Sequence, residues 1–162
     1  MPWINTRDNQ VVSDALLTLI EGHNKQASAK HKAYYKSLLF TACRELEKFI
    51  TPTASLGAQA LASELGIGDI RKYKWNEQAK KMKDPQRKKF QWEHVYPVSL
   101  LTKRLLELSP ATKEAISLEV AKTDIAWILK SENDRLNKGS FKSDRPNNPI
   151  DAYSISGIKT LD

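Results

Sequence analysis

Cysteine is nearly absent from this sequence: Cys43 is the only one. A lone thiol can make neither an internal disulfide nor a cysteine-bound zinc site, so the fold has to rest on packing. Cys43 sits among Leu39, Phe40, Ala42 and Leu46. That setting assigns it to a core, because nothing nearby supplies the base and the open electropositive pocket of a reactive thiol. Long apolar runs are missing too. No stretch approaches the ~20 residues that a spanning helix needs. The opening, Met1-Pro-Trp-Ile-Asn-Thr-Arg-Asp8, lacks the apolar centre of a signal peptide. These absences argue against a membrane protein, and the chain is expected to be cytoplasmic. There is no internal repeat and no low-complexity tract, and histidine occurs three times, as His23, His31 and His94.

What is present suits one domain with a substantial core: 162 residues, of which 40% are hydrophobic. The net charge is +7, and its placement matters more than its size. Between Arg71 and Lys89 stand nine basic and two acidic residues, a net of +7 (9 − 2), so the rest of the chain is balanced. The concentrated positive field favours a polyanionic partner. Tyr73 and Trp75 interleave with these lysines. They either stack on bases or anchor the segment to the core.

Helical periodicity dominates the first seventy residues. Val11, Val12, Ala15, Leu16, Leu19 and Ile20 mark a helix over 9–23. Tyr35, Leu38, Leu39, Ala42, Leu46, Phe49 and Ile50 mark the apolar stripe of a longer helix over 28–50. A third is expected near 55–65, with Gly66 past its end. The stretch Leu61 to Ile70 is weakly similar to the turn of a helix-turn-helix reader. His23 and His31 lie in charged helix-end settings, which suits solvated side chains.

From residue 90 the pattern changes. Phe90-Gln-Trp-Glu-His-Val-Tyr96 is dense in aromatic and branched residues and reads as a strand closed by Pro97. It carries Glu93-His94, an acid–histidine pair that can converge on a metal or a phosphate where the strand frays. Two helical stretches follow, the second expected to start at Ser109-Pro110. Asp124 to Lys130 is again strand-like. Ser131, with Asp134 three residues on, then reads as the cap of a short helix that Gly139 ends. The tail from Arg145 reads as irregular, with Ala152, Tyr153, Ile155 and Ile158 available to pin it to the core. Two antiparallel strands with a helix packed on them would let Asn133, or Asn137 one turn later, offer a carboxamide oxygen to a metal held by Glu93. Hard cations accept such oxygens and keep several waters.

Glu93-His-Val-Tyr-Pro97 followed by Trp127-Ile-Leu-Lys-Ser-Glu-Asn-Asp-Arg-Leu-Asn-Lys138 resembles the HNH, or ββα-metal, endonuclease superfamily, most closely its phage-type and restriction-type members. The resemblance covers about residues 90 to 150. It implies that His94 is the general base and that Glu93 binds a divalent metal. It further implies Asn133 as the helix ligand and Asn137 as a companion. Mg2+ or Mn2+ is the implied cofactor, without structural zinc. The chain departs from the family pattern in three ways. Two helices separate the strands, the cysteine zinc brace is missing, and no residue clearly fills the middle position that orients the histidine.

The expected fold is therefore mainly α with a small β-hairpin. A ββα-metal core lies near the C-terminal half and is wrapped by N-terminal helices, within a single domain spanning 1–162. Residues 1–70 form its helical part, 71–89 its basic segment and 90–150 its nuclease core. The expected activity is hydrolysis of DNA phosphodiester bonds, with RNA as the other candidate substrate. Lys80, Lys81, Lys83, Arg87, Lys88, Lys89, Lys138 and Arg145 are the expected phosphate contacts. A site-specific enzyme cutting both strands would be a homodimer, since a palindrome matches two-fold symmetry. The alternative is a helical nucleic-acid-binding protein without catalysis.

Overall fold

A computed structural model describes residues 4–84, 86 and 88–161. The chain is mostly helical with a small three-stranded sheet. Its elements in order are α1 (Thr6–Asn24), α2 (Ala29–Glu45), β1 (Thr53–Ala54), α3 (Leu56–Glu64), β2 (Phe90–His94), α4 (Val98–Glu107), α5 (Lys113–Val120), β3 (Ile125–Leu129), α6 (Lys130–Lys138) and α7 (Asp151–Ile155). Among the described residues no helix is long and apolar enough to cross a membrane.

The chain divides into two compact units, each built from two separate stretches. The first joins Met1–Ile50 to Tyr96–Thr123 and is helical. Val12, Leu16 and Ile20 on α1, Leu39 and Cys43 on α2, Leu101 and Leu105 on α4, and Ile116 and Val120 on α5 are its buried positions. Burial pushes the Cys43 thiol up to about 12, as befits an inert core cysteine. The stripe on α2 is narrower than its spacing suggests: Leu38 and, just past the helix, Phe49 are exposed. The start of α5 also differs from the expectation. Thr112 caps it by accepting from the Ala115 amide at 3.2 Å, two residues beyond Pro110.

The second unit joins Thr51–Val95 to Asp124–Asp162 and holds the sheet, in the order β1-β3-β2. The long excursion between β2 and β3 belongs to the other unit, so the two strands meet as neighbours although two helices separate them in sequence. They pair antiparallel from Phe90↔Leu129 to His94↔Ile125. β1 pairs parallel with β3; two residues are too short a run to announce a strand. β3 is central, with helices over both faces, which explains its unbroken apolar run Ile125-Ala-Trp-Ile-Leu129. On one face Ala54, Ala58, Ala62, Ile70, Met82, Phe90 and Trp127 form a core with α3. On the other, Val95, Ala126, Ile128, Leu136, Ala152, Tyr153 and Ile158 form a core with α6 and α7. Ile155, expected among the pins, is 66% exposed.

Trp127 is the centre of the first core. Trp92 meets it edge-on at 4.8 Å between centroids, and Trp75 stacks on it at 6.2 Å. Its indole N–H donates to the Tyr73 carbonyl at 2.9 Å. Trp75 and Tyr73 thus anchor the basic segment rather than present open rings to bases. After α3 the chain turns through Gly66 and Gly68, both at positive φ, into a 3-10 turn at Ile70–Lys72. Among the described residues no recognition helix follows, so the similarity to a helix-turn-helix ends at the turn.

Candidate functional site

β2 is an edge strand, and its regular pairing continues through its last residue. Side chains in a strand alternate between faces, so the register decides where Glu93 and His94 point. Glu93 pairs with Ala126, whose side chain belongs to the α6–α7 core. His94 pairs with Ile125 and shares the alternate face with Trp92. The neighbours therefore flank the strand end from opposite sides. They can address one substrate only around the rim, where the chain leaves the strand at Val95. Both side chains are half-buried.

Arg145 defines the surroundings of Glu93. It is 7% exposed, not a surface contact for phosphate as its sequence setting suggests. Its guanidinium is shared three ways. Nη2 donates to Glu93 Oε1 at 2.8 Å, Nε to the Val95 carbonyl at 3.1 Å, and Nη1 to its neighbour's carbonyl, Asp144 O, at 3.1 Å. Burial pushes the Glu93 carboxyl up to about 7, against the opposing pull of Arg145. Burial in turn lowers the Arg145 guanidinium from its usual value, while Glu93 supports its charge.

α6 is set in place by Glu132, not by Ser131. Glu132 Oε2 accepts from the Leu129 amide at 2.8 Å and from the Ser55 hydroxyl at 2.6 Å. The helix consequently starts at Lys130, one residue before the expected cap, and Asp134 pairs with Lys130 instead of closing a capping box. Ser55 itself caps α3 by accepting from the Ala58 amide at 3.0 Å. One hydroxyl thus ties the start of α3 to the start of α6. Glu132 and Leu136 face the sheet; Asn133 is half-buried beside them and Asn137 is exposed. Neither asparagine hydrogen-bonds Glu93 or Arg145.

Of the expected phosphate contacts, Lys80, Lys81, Lys83, Lys88, Lys89 and Lys138 stand at least partly in solvent. Lys81 also donates to the Leu65 carbonyl at 2.9 Å. Arg87 lies outside the described residues. Met82, 2% exposed, plants the segment in the core while its neighbours reach solvent. Just before β2, the Asp84 carboxylate accepts the Gln86, Lys88 and Lys89 amides.

Two further polar residues near Glu93 were not singled out for the site from the sequence. Asp124 leads into β3 on the same face as Glu93, and Tyr153 faces it from α7. A carboxylate at the mouth of a buried apolar run was the available clue for Asp124. Burial raises its carboxyl to about 8. Among the described residues no group of three or more His, Cys, Asp or Glu converges in a way that could hold a metal. The donors on the Glu93 face are nevertheless all oxygens, and Asp124 Oδ2 is a buried oxygen without a hydrogen-bond partner. Oxygen is the donor type that a hard divalent cation accepts. No family model, no curated protein and no solved structure matches this chain.

Proposed function

We propose that the chain is a divalent-metal-dependent endonuclease that hydrolyses DNA phosphodiester bonds. The observation supporting this reading is the pairing of β2 with β3, which runs straight into α6, with Glu93-His94 at the rim of the pair. A histidine can take a proton near neutral pH. His94 would deprotonate the attacking water from its side of the strand end. Glu93 would hold the cation from the other side, with Asn133 contributing from α6. A bound cation supplies charge relief at the phosphate. Arg145 acts as a positioning residue, since two of its hydrogen bonds tie Glu93 to the Val95 carbonyl. The lysines on either side of Met82 would grip the phosphate backbone.

A non-catalytic nucleic-acid-binding protein is the second reading. The observation favouring it is the Glu93–Arg145 pair, which such a protein would keep purely as a strut. Plasmid DNA incubated with wild type and His94→Ala, in Mg2+ or Mn2+ and with chelator, separates the two. Cleavage that needs metal and is lost in His94→Ala is the expected result. An intact plasmid in every metal, with salt-sensitive binding retained, selects the binder. Asn133→Ala is expected to bind DNA and lose cleavage; full activity would remove Asn133 from the site.

A further inference from the structure

The charge balance outside the 71–89 segment is an average over unequal stretches. From Asn24 to Arg44 the chain has no acidic residue, against Lys25, Lys30, Lys32, Lys36 and Arg44. Most of that stretch is α2. Every residue from Ala27 to Tyr34 is exposed, so the first turns of the helix stand in solvent on all sides. Tyr35 is the first side chain of α2 to be partly covered, and it lies so close over Gly22 of α1 that a Cβ has no room there.

Cations on α4 and α5 are paired. Lys103 and Arg104 meet Glu107, and Lys113 meets Asp14. Among the described residues Lys30, Lys32, Lys36 and Arg44 of α2 have no carboxylate partner. Their placement also opposes the helix. The amino end of a helix favours anions, and α1 and α5 place Asp8 and Glu114 in their first turns. α2 begins instead with Lys30, His31 and Lys32 and has no acid there. Lys32 and Lys36 are like charges four residues apart, which adds repulsion. Local rules broken together in this way are expected at functional sites, and an anionic partner relieves both conflicts.

The arrangement of the lysines selects the partner. At about 100° per residue, Lys30 and Lys32 project about 200° apart, with Lys36 about 40° beyond Lys32. The arc between Lys36 and Lys30 carries Ala29, Ala33 and Ser37. A membrane surface meets one side of a helix and needs large apolar side chains there, which this arc lacks. The major groove of B-DNA, about 12 Å wide, admits a helix and has phosphates along both walls. Tyr34, 63% exposed and one turn after Lys30, adds a hydroxyl donor on that side.

We propose that the amino-terminal half of α2 docks in the major groove of duplex DNA, with Lys30 and Tyr34 on the phosphates of one wall and Lys32 and Lys36 on those of the other. This contact is separate in sequence from the lysines of the 71–89 segment. It rests on the reading of the chain as a DNA-binding protein and does not require cleavage.

The test is fluorescence anisotropy of the full chain on a labelled DNA duplex over a range of salt, in chelator so that no cleavage intervenes. Lys30→Gln/Lys32→Gln/Lys36→Gln is expected to lower affinity on the order of tenfold or more and to reduce the slope of log K against log salt by about 0.9 for each lysine that met a phosphate. Its urea midpoint should be at or above that of wild type, because the lost charges oppose the helix. Lys103→Gln/Lys113→Gln/Lys122→Gln lowers the net charge equally and should leave the slope near that of wild type. The major groove of duplex RNA is too narrow to be read in this way, so binding to it should not depend on the α2 lysines. Equal losses in the two triple variants, equal dependence on duplex RNA, or lysine-dependent binding of phosphatidylserine vesicles in place of DNA overturns the docking. If wild type binds no duplex, the DNA reading falls with it. If wild type binds and the α2 variant binds as tightly, the docking alone fails. If the α2 variant loses binding and plasmid is never cut by wild type in any metal, the docking stands and the nuclease reading fails.

Discussion

Arg145 reaches back across the sheet-bearing unit to Glu93, with Nη2 donating to Oε1 at 2.8 Å and the arginine side chain fully buried. A charge taken out of water is tolerated when it is paired, and it becomes costly when the partner is removed. The pair therefore links the stability of the sheet to the geometry of its rim.

Arg145→Ala is expected to destabilise the protein by roughly 3–5 kcal/mol, because it strands the Glu93 carboxylate and also leaves the Val95 carbonyl without its donor. Combining it with Glu93→Gln should recover a large part of the deficit. Urea unfolding read by tryptophan fluorescence measures this, since Trp75, Trp92 and Trp127 cluster in the sheet-bearing unit. A single-variant effect below about 1 kcal/mol would place the pair with weak surface bridges.

Gly57 is a tighter position than its place in α3 suggests. A Cβ there would lie 2.9 Å from Leu129 Cδ1 and 3.0 Å from Glu132 Oε1. Alanine ordinarily helps a helix by up to about 1 kcal/mol over glycine. Here Gly57→Ala should instead destabilise by about 1–3 kcal/mol, by pushing on the side chain that starts α6. Ser55→Ala should cost about 1–3 kcal/mol through the same network. Neutral or improved midpoints in both variants would show that α6 does not depend on Glu132.

The pH dependence follows from two carboxyls that burial raises, Asp124 from 3.8 to about 8 and Glu93 from 4.5 to about 7. In that window the folded chain binds more protons than the unfolded one, so stability falls as pH rises. The contribution of these groups is full below about pH 4 and disappears as pH climbs through 7 to 8. In chelator, wild type should become less stable by on the order of a few kcal/mol between about pH 5 and pH 8. Asp124→Asn should flatten that slope. A wild-type slope of the opposite sign would mean that Asp124 is ionised and compensated in the folded chain.

Neutralising Lys80, Lys81, Lys83, Lys88 and Lys89 should weaken DNA binding and reduce the dependence of log K on log salt by about 0.9 for each phosphate that is no longer neutralised. Trp75→Ala should act differently, lowering stability through its stack on Trp127 while leaving the salt slope of the folded protein as it was. Fluorescence anisotropy at several salt concentrations separates the two. An unchanged slope in the lysine variant would mean that other cations bind the phosphates.

Most of the order of helices and strands was legible along the chain because periodicity is a local property, although α7 (Asp151–Ile155) forms in a tail that reads as irregular. The stripes of α1 and α2, the aromatic run of β2, the apolar run of β3 and the Gly139 end of α6 can all be read from neighbouring residues. So could the placement of the whole charge excess between Arg71 and Lys89. Other features depend on partners distant in sequence. Glu132 starts α6 because Ser55 and the Leu129 amide meet it. Trp75 is an anchor because Trp127 lies beneath it. Two-residue β1 is a strand because β3 is there to pair with it.

The sequence alone determined that an acid–histidine pair ends a strand and that a second strand and a short helix follow. Only the tertiary structure decided that Glu93 and His94 take opposite faces, since the register with Ala126 and Ile125 continues to the strand's end. It likewise decided that Arg145, a charged residue between Asp144 and Pro146 in sequence, is buried against Glu93, and that Asp124 shares the Glu93 face. Burial and facing arise from contacts between residues far apart in the chain, and local composition does not record those contacts.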